Sequence, residues 1–141
     1  LLLDIDNFKR INDEMGHVEG DRVLKAMVAL IDSRIRGADM LFRLGGEEFV
    51  VLLSEVGAQT ARKIADELRS KIASQEVIPD RRVTVSIGIC DVTAVDSAED
   101  WLLRVDQAMY EAKRKGRDQV YIEEPSPRDP IYVEGTIPMW R

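Results

Sequence analysis

One cysteine, Cys90, stands in a chain of 141 residues. A single thiol excludes an intramolecular disulfide and any zinc cage built on cysteines. It fits a reducing compartment, and the expected location is the cytoplasm. One histidine, His17, argues against a histidine-rich metal site and against a histidine-based catalytic triad. No apolar run approaches the roughly 20 residues that a membrane-spanning helix needs. Excess positive charge is also lacking. The net charge of −6 argues against general affinity for nucleic acid or for an anionic membrane. A few local cations or a bound metal can still reverse the field at a nucleotide site. There is no initiator methionine and no signal peptide. The chain opens on Leu1-Leu2-Leu3 and reads as a fragment with an apolar strand already under way.

What is present describes one globular domain. Hydrophobic residues make up 45% and charged residues 33% of the chain, a balance foreign to disordered or collagen-like sequences. A domain of this length buries roughly two-thirds of the surface its unfolded chain exposes, so no disulfide or structural metal is needed to hold it.

Leu1 to Ile5 reads as a buried strand, and Asp6 to Gly20 as polar and irregular, punctuated by Gly16 and Gly20. From Asp21 to Ile35, the spacing of Leu24, Met27, Val28, Ile31 and Ile35 predicts an amphipathic helix. Asp39–Leu44 and Phe49–Leu53 read as strands joined at Gly45-Gly46, which can supply the positive φ angles of a tight turn. Ala61, Ile64, Ala65, Leu68 and Ile72 mark a second helix. Val83, Val85, Ile87 and Ile89 alternate with Thr84, Ser86 and Gly88 as a strand does. A third helix begins near the N-cap Ser97 and ends at Gly116, after Lys113-Arg114-Lys115. Gln119 to Ile122 closes the series as a last strand.

The expected order is β-α-β-β-α-β-α-β. It predicts an α/β chain (α+β in some schemes) with a ferredoxin-like β-α-β-β-α-β core, an added helix and strand, and helices on one face of a mainly antiparallel sheet. Residues 1–122 form the domain. Four of the five prolines lie in residues 123–141, which read as a tail or linker in which Ile131 to Val133 could add an edge strand.

Two acidic pairs stand out. Asp4 and Asp6 are two apart at the end of the first strand, so their side chains point to the same side. Glu47 and Glu48 follow Gly45-Gly46 on the hairpin, which neighbours the first strand in this topology. Carboxylates from both can meet at one edge and offer magnesium hard oxygen ligands. Carboxylates at strand ends are more often solvated and inert. Their company favours a site. Gly45-Gly46 carries no side chains, so backbone can approach a large ligand. Lys113 and Arg117 sit four apart at a helix end and can both reach a phosphate, although compensation of the helix dipole needs no ligand.

The runs Asp4-Ile5-Asp6-Asn7-Phe8-Lys9-Arg10-Ile11-Asn12-Asp13, Gly16-His17, Gly20-Asp21 and Gly45-Gly46-Glu47-Glu48-Phe49 resemble, in order and spacing, the GGDEF domain of diguanylate cyclases, in its GGEEF form. The resemblance covers residues 1 to about 122 and implies a nucleotide-cyclase or polymerase-palm-like version of the fold. One departure is a segment with an L-T-x-L-x-N-R-like signature that family members carry before strand one and that this sequence lacks. The implied reaction condenses two GTP into cyclic di-GMP with release of two pyrophosphates, at a site formed between two copies of the domain.

The resemblance implies that Asp4 and Glu47 bind magnesium (or manganese) with the carbonyl of Ile5, and that Glu47 is the base for the ribose 3′-hydroxyl. Asn12 and Asp21 match the guanine-reading positions. A carboxylate suits that role, because it accepts from N1–H and the 2-amino group, a donor pair adenine lacks. Lys9, Lys113 and Arg117 match triphosphate contacts, Phe8 a packing residue beside the nucleotide, and Gly45 and Gly46 the turn against it. Glu48 is supportive and Asp6 supports the metal site from behind. His17 has a structural place in a Gly-His turn. Arg36-Gly37-Ala38-Asp39, separated from Gly45 by Met40 to Leu44, matches the family's product-inhibition site, with Arg69 as the partner domain's contribution. The expected partners are therefore GTP, cyclic di-GMP and a second copy of the chain. A receptor that binds GTP or cyclic di-GMP without turnover is the alternative. Degenerate members lose the strand-one Asp or the motif's third-position carboxylate, and here Asp4 and Glu47 are both present.

Overall fold

Along the first strand, alternate side chains enter two different cores. Leu1, Leu3 and Ile5 join one buried cluster and Leu2 joins another. The computed structural model describes residues 1–123. Its elements are β1 (Leu2–Ile5), α1 (Phe8–Met15), α2 (His17–Asp32), β2 (Met40–Gly45), β3 (Glu48–Leu52), α3 (Ala58–Ser74), β4 (Val85–Ile89), α4 (Ala98–Arg114) and β5 (Val120–Ile122), with a 3₁₀ turn at Val92–Ala94. The sheet order is β2-β3-β1-β4-β5. β1 runs antiparallel to both β3 and β4, β2 antiparallel to β3, and β4 parallel to β5. This is the expected ferredoxin-like arrangement, with α4 and β5 added as expected and α1 added besides.

The structure departs from the sequence reading in three places. Residues 6–20 are not irregular: α1 occupies Phe8–Met15, and α2 starts at His17 and ends at Asp32, short of Ile35. α1 buries only Phe8 and Ile11, so its apolar stripe is too sparse to read as a period. Asn7 (φ 55°) and Gly16 (φ 88°) take left-handed conformations that delimit it. The helices are also not confined to one face. Val23, Met27 and Ile31 of α2 and Ala65, Leu68 and Ile72 of α3 share a core with Leu3, Ile5 and Ile87. Trp101, Val105 and Met109 of α4 pack with Leu2 and Val50 on the opposite face. A helix stripe shows that one side is buried, not which face of the sheet receives it. The strand expected from Val83 is regular only from Val85, with Val83 still buried.

Gly88 is what lets α4 lie so close. A Cβ there would fall on the backbone of Val105 and Met109. The 131–133 strand expectation, and the tail from residue 124 onward, lie outside the described residues. Among those residues, no helix is long and apolar enough to cross a membrane.

Candidate functional site

Strand pairing brings the two acidic pairs together. Asp4 stands opposite Glu48 in the β1–β3 register, and the Ile5 amide donates to the Glu47 carbonyl at 3.2 Å. Asp4 is buried, at 4% exposure, and its Oδ2 lies 2.9 Å from Lys113 Nζ on α4. Burial pushes the Asp4 carboxyl up to about 6. The Lys113 ammonium opposes that shift, and the charges of Glu47 and Glu48 add to it. Among the described residues, no three His, Cys, Asp or Glu side chains are gathered tightly enough to hold a metal alone. Asp4 and Glu47 are hard oxygen donors of the kind that suit a hard divalent cation.

The turn beside them has room. Gly45 and Gly46 have φ of 148° and 50°, and a Cβ on either would meet nothing within 4 Å. Arg43 braces this turn, donating from Nε (3.1 Å) and Nη2 (2.7 Å) to the Gly46 carbonyl. The sequence reading missed Arg43. Its signal is an arginine three residues before a turn carbonyl that no strand pairing satisfies.

Asp6, just past the end of β1, looks elsewhere than Asp4. It is buried and accepts from Thr84 Oγ1 (2.7 Å), Ser86 Oγ (2.6 Å) and the Asp118 amide (3.0 Å). Thr84, Ser86 and Asp118 also escaped the sequence reading, because nothing local ties a strand to a loop over a hundred residues away.

Asn12 on α1 lies against Gly20 of α2, the residue before Asp21. Asn12 Oδ1 lies where a Cβ on Gly20 would stand, one residue from Asp21. Asn12 is half-buried and Asp21 exposed. Lys9 is exposed on α1, and Phe8 is buried in the core with Ile5 and Ile11. His17 opens α2. Lys113 lies in the last turn of α4, and Arg117 follows Gly116 just past its end, with Arg117 exposed.

The Arg36–Asp39 pair sits at the start of β2. Asp39 accepts from the backbone amides of Arg36 (2.8 Å) and Ser54 (2.9 Å), while Arg36 Nη2 donates to the Ser54 carbonyl at 2.8 Å. Burial raises the Asp39 carboxyl, but those two amides and the Arg36 guanidinium outweigh it and hold the group below its ordinary value. The Asp39 side chain is 1% exposed and that of Arg36 58%, so arginine is the accessible member. Arg69 does not join them within this protomer. Its Nη1 lies 2.8 Å from Asp118 Oδ1. A cavity of about 180 Å³ lies at the other end of β1, lined by apolar side chains such as Leu1, Val51 and Trp101, and holds none of the site residues.

Residues 1–119 match the family model described as diguanylate cyclase, GGDEF domain. Diguanylate cyclase DgcM of Escherichia coli (strain K12) is 42% identical over 120 residues, which are 85% of this chain and 29% of that protein. The chain thus spans under a third of that relative's length. Among solved structures, the active GGEEF domain of a diguanylate cyclase from Vibrio cholerae superposes with a TM-score of 0.80 at 34% identity, covering 89% of this chain and 81% of that one. The GGDEF domain of DgcB from Caulobacter crescentus, in complex with cyclic di-GMP, gives 0.79 at 29% identity, covering 86% of this chain and 75% of that one.

Proposed function

The chain belongs to the GGDEF domain family of diguanylate cyclases, and we propose that it condenses two GTP into cyclic di-GMP in the cytoplasm, with each of two copies holding one nucleotide. The observation that carries this reading is the meeting of buried Asp4 with Glu47 and Glu48 beside the Lys113 ammonium.

Asp4, Glu47 and the Ile5 carbonyl would hold a divalent cation, magnesium or manganese. When bound, it neutralises phosphate charge and favours the nucleophilic alkoxide. Lys113 now balances Asp4. A cation on that carboxylate would release its ammonium for the triphosphate, which Lys9 and Arg117 would also meet. Asp21 and Asn12 read the guanine edge. Glu47 removes the proton from the 3′-hydroxyl of the bound ribose, and Glu48 supports the negative edge. The oxygen attacks the α-phosphorus of the GTP on the other copy. One P–O bond forms, the bond to pyrophosphate breaks, and the second half repeats it.

Three expectations arise from this geometry. Gly20→Ala should displace the Asn12 amide and weaken GTP binding about tenfold, the worth of about one good hydrogen bond, as read by calorimetry. Metal coordination needs an ionised Asp4. At limiting magnesium the rate should therefore fall about tenfold per pH unit below about 6, and excess magnesium should shift that limb to lower pH. The exposed guanidinium of Arg36 suits a phosphate or guanine edge of the product. Arg36→Ala should raise the cyclic di-GMP concentration that halves the rate by about tenfold or more, since a charged fork is lost. Equal inhibition of variant and wild type would remove Arg36 and Asp39 from product control.

The reading is tested by offering GTP and ATP in parallel with magnesium and weighing the products. Cyclic di-GMP from GTP alone supports it. GTP that binds but stays unconverted would replace it with the receptor reading.

A further inference from the structure

The turn that presents Arg117 is strained, and a dedicated set of contacts holds it. Gly116, Arg117 and Asp118 have φ of 120°, 64° and 46°, three left-handed residues in a row, two of them not glycine. Such strain persists where the surroundings over-determine the backbone, and those places cluster at functional sites.

Here the turn is fixed from both ends. On the helix side, the Gly116 amide donates to the Lys113 carbonyl (3.3 Å) and the Arg117 amide to the Ala112 carbonyl (3.0 Å), a Schellman-like close to α4. On the sheet side, the Asp118 amide donates to Asp6 Oδ2 at 3.0 Å. The Asp118 carboxylate is gripped twice. Its Oδ1 accepts from Arg69 Nη1 at 2.8 Å, and its Oδ2 from Arg82 Nη2 at 3.0 Å. Arg69 comes from α3 and Arg82 from the segment before β4, so two separate elements converge on one side chain.

We propose that Asp118 is a positioning residue: through Asp6, Arg69 and Arg82 it fastens the turn that aims Arg117 at the triphosphate. The inference rests on the cyclase reading of the site. Asp118 touches no substrate atom in this account and acts through Arg117. The Arg117 side chain itself is exposed, and no described carboxylate pairs with it, which leaves its guanidinium available. Asp6 makes the clamp common to both halves of the site, because it stands two residues from Asp4, just past the end of β1. Aspartate suits position 118, since it tolerates the left-handed region and offers one oxygen to each guanidinium.

The test compares wild type, Asp118→Ala, Asp118→Asn, Arg117→Ala and the double variant Arg117→Ala/Asp118→Ala. Affinities for GTP and for guanosine are measured with EDTA present, so that the triphosphate relies on side chains alone and no turnover occurs. Thermal unfolding is followed beside them. The proposal expects Asp118→Ala to weaken GTP about tenfold and leave guanosine within about twofold. It expects Asp118→Asn, which keeps one acceptor oxygen but sets an N–H against the other guanidinium, to recover only part of the loss, and Asp118→Ala to add nothing once Arg117 is gone. Equal losses for GTP and guanosine, no loss for GTP, or full additivity in the double variant would each overturn it. Wild type that binds neither ligand, in EDTA or with magnesium restored, would overturn the cyclase reading, and this inference with it.

Discussion

Glu47→Gln is expected to reduce cyclic di-GMP synthesis by at least about a thousandfold and leave the fold intact. The substitution keeps the shape of the side chain and removes one charge. The contact that ties this residue to β1 is made by its backbone carbonyl, which accepts from the Ile5 amide, so it survives the change. What is lost is a charged metal donor and a base at the same position. A general base alone contributes about a hundredfold to ten-thousandfold. The variant should melt within about 2 °C of wild type, since nothing buried is left unpaired. Removing a neighbouring negative charge should also lower the Asp4 carboxyl from its raised value, because Glu47 is one of the charges that push it up. Initial rates with GTP and magnesium, with unfolding curves alongside, check all of this. A Glu47→Gln chain that turns over like wild type would remove Glu47 from the chemistry.

The largest expected loss of stability comes from Gly88→Val. A Cβ at residue 88 falls on the Val105 carbonyl oxygen and the Met109 amide, which are backbone atoms of α4 and cannot rotate away. The helix must lift off the sheet and open the contacts of Trp101, Val105 and Met109 with Leu2 and Val50. Overpacking of this kind costs about 3 kcal/mol, a fall in Tm of about 10 °C for a domain of this size. Lifting α4 also moves Lys113 away from Asp4, so activity should be lost below the melting transition as well. Gly37→Ala is the control. A Cβ there meets nothing within 4 Å, and its Tm should stay within about 2 °C of wild type.

How far the sequence could be read depended on how local the physics was. The alternation through Val85, Ile87 and Ile89 marks β4 because a strand in this sheet repeats every two residues. The stripe from Ala61 to Ile72 marks α3 for the corresponding helical reason. α1 was not legible, since eight residues burying only Phe8 and Ile11 carry almost no periodic signal. The face that α4 occupies was not legible either, because the deciding residue, Gly88, lies on β4 rather than on the helix.

In the site, Asp4 and Glu47 stood out as acidic pairs beside a glycine turn. The burial of Asp4 beside Lys113 depends on long-range packing that spacing does not encode. Asp6 shows the limit most plainly. It lies two residues from Asp4, yet its partners Thr84, Ser86 and Asp118 come from distant segments.

The most direct measurement of the central claim is the initial rate of cyclic di-GMP formation from GTP and magnesium across a series of protein concentrations, with product identified by mass. A site completed by a second copy predicts a rate that rises faster than linearly while copies are scarce and becomes proportional once they pair. GTP that binds at every concentration without forming cyclic di-GMP, or a rate strictly proportional to protein from the lowest concentration upward, would contradict it.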